Sequence, residues 1–185
     1  MPRYIVFAGV NGAGKTTLYQ SNKRLQNIPR VNVDEIVRTN GKWDNLEDVT
    51  RAGKAAVAKI RQFFSENLTF NQETTLCGNN IIKNIMTAKE KGYRIELYYV
   101  GLESADLAVE RVKYRVQNGG HGIPENDIRK RYYKSFEQLK KIITYCDKIE
   151  LYDNTVSFRA IAVYENGEWI LIDDNIPEWC KKIIN

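Results

Sequence analysis

Short β-branched and aromatic runs alternate with longer helical stretches, and this predicts an α/β fold with a mostly parallel five-stranded sheet flanked by helices. Two local features sharpen the expectation. A glycine-rich octapeptide directly follows the first strand-like run, and Asn166-Gly167 divides the last β-rich stretch into an antiparallel hairpin over about 157–172. The 185 residues, 43% of them apolar and 28% charged, fit one ordinary globular domain, 1–185.

Taken in order, the strands are expected at Arg3–Ala8, Arg30–Val33, Leu68–Gln72, Arg94–Val100 and Lys148–Tyr152, with Ser157–Glu165 and Glu168–Ile172 forming the hairpin. Helices fill the gaps. One should start after Gly14. Leu46–Asn67 carries Val49, Gly53, Ala56, Val57, Ile60 and Phe64 at helical spacing. Asn79–Lys91 places Ile82, Ile85, Met86 and Lys89 on one face, with Gly92 as its stop. Ser104 is placed to cap a helix running to Asn118, ended by Gly119-Gly120, and Pro124 precedes a long helix over Glu125–Tyr145. The segment Ile176–Asn185 reads as a terminal helix packed on the core.

Composition narrows the chemistry. No apolar run approaches the length of a membrane span, and Met1-Pro2-Arg3-Tyr4 runs straight into a strand without room for a signal peptide, so a cytoplasmic protein is expected. Cys77, Cys146 and Cys180 are widely spaced and odd in number, which points to reduced, packed thiols; with His121 as the single histidine they match no zinc spacing. The net charge of +5 suggests an anionic partner.

The strongest motif is Gly9-Val10-Asn11-Gly12-Ala13-Gly14-Lys15-Thr16, which matches G-x-x-x-x-G-K-[ST] between a strand and a helix. Glycines there let successive backbone N–H groups face phosphate oxygens, and the helix N-terminus adds partial positive charge. Lys15 is expected to reach the β- and γ-phosphates of ATP and the Thr16 hydroxyl to bind Mg²⁺, with Thr17 next along the same cradle.

Ligands of open α/β sheets bind beyond the carboxyl ends of the strands. Asp34-Glu35 follows the second strand, Glu73-Thr74-Thr75 the third, Gly101 and Glu103 the fourth, and Asp153-Asn154 the fifth. Asp34 is the candidate general base, or else the cap of the short helix after it; the two roles are compatible. Glu73 is suited to binding substrate hydroxyls or a Mg²⁺-bound water. No hydrophobic run ends in a clear metal-binding aspartate beside a water-activating glutamine, which favours phosphotransfer over hydrolysis.

The segment 111–131 reads as a lid. Arg111 and Arg115 lie four residues apart on one helix, a glycine-rich hinge follows, and Arg129-Lys130-Arg131 opens the next helix. Arginine forks suit phosphoryl oxygens. His121, in the hinge, is read as a polar loop residue rather than a catalytic base.

Together Ala8–Leu18, Val31–Ile36, Phe70–Leu76, Tyr93–Ser104, Glu110–Tyr132 and Tyr152–Thr155 resemble the small zeta-toxin-like P-loop kinases, relatives of the zeta and epsilon-zeta toxins and of chloramphenicol phosphotransferase. The resemblance covers about residues 3 to 164, and its most distinctive part is the lid stretch with Gly119-Gly120-His121. It implies a P-loop kinase fold that uses ATP and Mg²⁺ to phosphorylate a small-molecule hydroxyl, in the toxins the sugar of UDP-N-acetylglucosamine. By matching motif it assigns Lys15 and Thr16 to the phosphate loop, Asp34 to the base, Asp34, Glu73, Thr75 and Arg111 to the acceptor side, and Arg115 with Arg129 or Arg131 to phosphate. Gly9, Asn11, Gly12, Ala13 and Gly14 follow as loop residues, and Asp153-Asn154 falls near the adenine. It also implies an antitoxin as protein partner. Two other readings stand beside it: a nucleotide-binding module that acts through a protein partner without transfer, and a nucleic-acid 5′-hydroxyl kinase. The second lacks the aromatic-interleaved basic stripes that stack bases, so nucleic acid is not the expected partner.

Overall fold

A computed structural model describes residues 1–184. The chain runs β1 (Arg3–Gly9), α1 (Lys15–Ser21), β2 (Arg30–Val31), α2 (Val33–Asn40), α3 (Leu46–Ser65), β3 (Phe70–Thr74), α4 (Asn79–Glu90), β4 (Arg94–Gly101), α5 (Ala105–Gln117), α6 (Glu125–Ile142), β5 (Lys148–Asp153), β6 (Arg159–Glu165), β7 (Glu168–Leu171) and α7 (Glu178–Ile184). The strands form one mixed sheet in the order β2-β3-β1-β4-β5-β6-β7. The first five are parallel and β6 and β7 antiparallel, so the expected hairpin extends the sheet. At its turn Asn166 (φ 55°) and Gly167 (φ 87°) both take positive φ, as a two-residue hairpin of this kind requires.

β1 is buried along nearly its whole length because it lies between β3 and β4 with helices on both faces. Where α3 covers the sheet, its Phe64 meets Tyr4, Phe70 and Tyr93 edge-on and its Phe63 lies tilted against Phe70, each ring worth about 1.5–3 kcal/mol of burial. On the other face Ile5, Phe7, Val100 and Leu102 meet Leu18 of α1, Val109 and Val112 of α5, and Ile128 of α6. No described helix is long and apolar enough to cross a membrane.

Several details differ from expectation, among them that β3 runs on to Thr74 and so includes Glu73. β2 stops at Val31 because Asn32 leaves the sheet to cap α2, its Oδ1 accepting from the Asp34 N–H at 2.9 Å. Asp34 is thus not the cap. β3 begins two residues late, at Phe70, which is fully buried while Leu68 is exposed. On α4 the buried stripe is Ile81, Ile85 and Ala88, one residue out of phase with the expected set, and Met86 faces outward. All three cysteines are free, and burial pushes the Cys146 and Cys180 thiols up to about 12.

Candidate active site

The phosphate loop leaves β1 with Gly12 (φ +74°) and Gly14 (φ +95°) in conformations that side chains rarely adopt. A Cβ on Gly12 would stand 3.0 Å from the Arg111 Cβ, because α5 packs directly on the loop. Lys15 folds back over the loop and donates to the Val10 carbonyl at 3.0 Å. Burial pushes its pKa down, opposed by the carboxylates of Glu73 and Asp34. The Asn154 amide donates to the Ala13 carbonyl at 2.9 Å and so ties the loop after β5 to the phosphate loop.

β3 lies beside β1 with Glu73 opposite Phe7, which delivers the Glu73 carboxylate to the Thr16 hydroxyl, 3.1 Å from both oxygens. This acid is itself held. Arg30, from β2, pairs with Glu73, bonds Glu35 at 3.0 Å and Asn71 Oδ1 at 3.0 Å, and lies over the Tyr19 ring at 3.6 Å. The side chains of Arg30 and Glu73 are only 8% and 9% exposed, so the pair is screened little by water. Threonine hydroxyl and carboxylate are hard oxygen donors and fit Mg²⁺, which takes few protein ligands and keeps its remaining positions for phosphate and water. Among the described residues no group of three or more His, Cys, Asp and Glu is placed to hold a metal ion.

Across the cleft, α2 carries Asp34 in its first turn, its side chain half exposed. The loop between α5 and α6 comes close to it. His121 Nε2 stands 3.6 Å from Asp34 Oδ2, and the imidazole stacks on Trp43, with ring centres 3.8 Å apart and planes within 10°. Arg115 donates from Nη2 to the His121 carbonyl at 2.9 Å. Its buried Nε, like the buried Oδ1 of Asn11, has no hydrogen-bond partner among the described residues, and both residues line the same cleft of about 800 Å³. An unpartnered buried guanidinium nitrogen costs free energy until an acceptor meets it.

The cleft collects Asn11, Gly12, Gly14, Lys15, Thr16, Asp34, Glu73, Thr75, Arg111, Arg115 and Arg131. Arg111 also donates to the Thr155 carbonyl at 3.0 Å. Other expected residues lie elsewhere. Arg129 pairs with Asp106 at 2.7 Å and Glu125 at 2.8 Å on the outer side of the lid, so of the two lid-helix arginines Arg131 is the one in the cleft. Asp153 is buried, accepting from Trp179 Nε1 at 2.9 Å and Thr155 Oγ1 at 2.7 Å; it anchors its loop and has no surface left for a base. Gly9 belongs to β1, Ala13 is buried, and Thr17 is exposed outside the cleft. Sequence reading missed Arg30 and Trp43. Arg30 becomes readable only once β2 is known to lie beside β3.

The family model described as "Zeta toxin" matches residues 1–175. An uncharacterized protein of Haemophilus influenzae is 35% identical over 129 residues, 69% of this chain and 91% of that one. Among solved structures, the AvrRxo1-ORF1:ORF2 complex with ATP matches all of this chain at 15% identity and TM-score 0.76, and this chain spans 64% of that chain's length. The PezAT toxin–antitoxin system of Streptococcus pneumoniae matches at 20% identity and TM-score 0.65, covering all of this chain and 78% of that one. At these identities the structural likenesses bear on the fold alone.

Proposed function

The chain belongs to the zeta toxin family and has a P-loop kinase fold, and from that premise we propose that it transfers the γ-phosphoryl group of ATP to a hydroxyl of a small molecule, such as the sugar of a UDP-N-acetylglucosamine-like nucleotide. The observation that carries this reading is convergence. Lys15, the Thr16–Glu73 pair, Asp34 and Arg115 with its unpartnered Nε come from four separate elements and face one cleft.

Lys15, Arg111, Arg115 and Arg131 would bind the phosphates and stabilise charge that builds on the equatorial oxygens of the transferring group. Thr16 and Glu73 would hold Mg²⁺, which supplies charge neutralisation to the phosphates when bound. Asp34 would accept the proton of the acceptor hydroxyl as its oxygen bonds to phosphorus and the bond to ADP breaks. Asn154 holds the far side of the phosphate loop, next to Phe158, where the nucleoside end would lie. The structural neighbours from AvrRxo1 and PezAT are complexes with a second protein, and an antitoxin-like partner is part of the proposal.

The test is γ-labelled ATP with Mg²⁺ against nucleotide sugars, nucleosides and oligonucleotides, with the Lys15→Ala variant as control. Label on one small acceptor, present only with intact protein, is the expected result. Label on an oligonucleotide 5′ end would move the assignment to a nucleic-acid kinase. Tight ATP binding with no labelled product would replace it by a nucleotide-dependent module acting through a protein partner.

A further inference from the structure

A buried hydrogen bond joins the last helix to the turn that follows β5. We propose that Trp179 of α7 is a positioning residue for the phosphate cradle: its indole N–H, given to Asp153, holds the 153–155 turn in the form that binds nucleotide. The inference rests on the nucleotide-binding half of the reading above and goes beyond it, because α7 lines no part of the cleft.

The indole itself is fixed. It lies against Gly101 at the end of β4, where a Cβ would stand 2.5 Å from its ring carbons, and only glycine leaves it room. Tyr99 and Phe136 flank it, with ring centres 6.0 and 5.5 Å away. From that seat Nε1 donates to Asp153 Oδ1 at 2.9 Å. The same oxygen accepts from Thr155 Oγ1 at 2.7 Å, and Oδ2 accepts from the Thr155 N–H at 3.3 Å. The turn so folded makes two contacts with the cleft. The Thr155 carbonyl accepts from Arg111 at 3.0 Å, and the Asn154 amide donates to the Ala13 carbonyl of the phosphate loop at 2.9 Å.

Nothing else replaces the indole N–H. Arg159 Nε stands 3.7 Å from Asp153 Oδ2, beyond hydrogen-bond distance, and its Nη1 is committed to Asp173 at 2.6 Å and the Asn175 carbonyl at 2.8 Å. Without Trp179 Nε1, Oδ1 keeps only the hydroxyl of its own turn, and a buried carboxylate short of a donor moves toward others. The turn retains its ties from the Asn154 N–H to Gly101 and from the Glu103 N–H to Thr155, so it loosens rather than detaches. Affinity then falls in proportion to the fraction of molecules that keep the competent form. Bound nucleotide selects that form, so the loss belongs to affinity and not to the rate at saturation.

Calorimetric titration with ATP and Mg²⁺ tests this without any acceptor. Trp179→Phe, which keeps an aromatic ring but no donor, should raise Kd about 3- to 10-fold. Replacing Trp179 by its benzothienyl analogue, with sulfur in place of the N–H, preserves the ring packing and guards against a variant that fails to fold. It should weaken binding by the same factor, and intact-protein affinity in the analogue overturns the proposal. Thr155→Val cuts the same chain one link further on, so its effect and that of Trp179→Phe should combine to less than their product. Full multiplication would mean that the two act separately, and overturns the route through Asp153. In steady-state assays KM for ATP should rise with Kd while kcat stays within about threefold. A fall in kcat at unchanged KM overturns the proposal. Intact protein that binds ATP and labels no acceptor removes the transfer reading alone, and the affinity test still decides this inference. Intact protein that binds no ATP removes both.

Discussion

The two walls of the cleft are held by different means. On the sheet side, Thr16, Glu73, Arg30 and Tyr19 form one chain of contacts around the buried Arg30–Glu73 pair, with members on adjacent strands or on the helix leaving the phosphate loop. On the lid side, Arg115, His121 and Trp43 meet through a backbone carbonyl and a ring stack, with one buried nitrogen left unpartnered. The first wall is anchored in the sheet by a buried ion pair. The second is held by fewer polar contacts. Under the proposed function, preorganised charge would meet the metal and phosphates on the first wall, and adaptable contacts would admit the acceptor at the second.

Mutations should separate the walls. The largest effect on stability is expected for Arg30→Met, which strands the Glu73 carboxylate in a buried setting and should cost about 3–5 kcal/mol in denaturant unfolding. Adding Glu73→Gln should recover a good part of that loss; no recovery would mean that Arg30 acts mainly by packing on Tyr19. Arg115→Ala should behave oppositely, with phosphoryl transfer falling about 10²–10³-fold while the unfolding midpoint barely moves. Equal damage to stability would make the lid arginine a core residue and erase the distinction between the walls.

The next effect depends on pH. Burial lowers the His121 pKa in the folded chain, so a chain whose 118–124 loop has detached binds the proton more readily. Packing of the loop therefore has its full strength above the ordinary histidine value of about 6.5 and weakens as pH falls below it. Proteolysis within 118–124 should be faster at pH 5.5 than at 7.5, by a margin that His121→Asn removes. The smallest effect is expected for Arg129→Ala. Its partners Asp106 and Glu125 are exposed, so loss of the pairs should leave the unfolding midpoint essentially unchanged and transfer within threefold.

What was legible in the sequence was local. The phosphate loop is a run of eight residues whose glycines, lysine and threonine act through their own backbone and first helical turn, and the Asn166-Gly167 turn declares its positive φ values by residue type. What was not legible depends on neighbours far apart in the chain. Glu73 meets Thr16 because β3 pairs with β1, and Arg30 meets Glu73 because β2 pairs with β3; neither pairing can be read from the runs alone. Trp43 and His121 belong to two loops brought together only by the finished fold. Arg129 and Arg131 could not be told apart because they differ by two positions, about 200° around a helix, and the phase of α6 is set by Ile128 and Tyr132 in the core. The α4 stripe slipped by one for a similar reason, Ala88 being as good a core residue as Met86 is a surface one.

One contact beneath the nucleotide end of the cleft also bears on how the protein is made. Asp153 takes its hydrogen bond from the indole of Trp179, a residue 26 positions further on, and Trp179 packs against Gly101 at the end of β4. During synthesis the phosphate loop, the acid of β3 and the lid all emerge before that indole does. The loop that ties down the phosphate cradle through Asn154 therefore reaches its final anchorage only after α7 has left the ribosome. A nascent chain could fold most of its sheet and still lack a settled nucleotide site, so competence would arrive late and all at once.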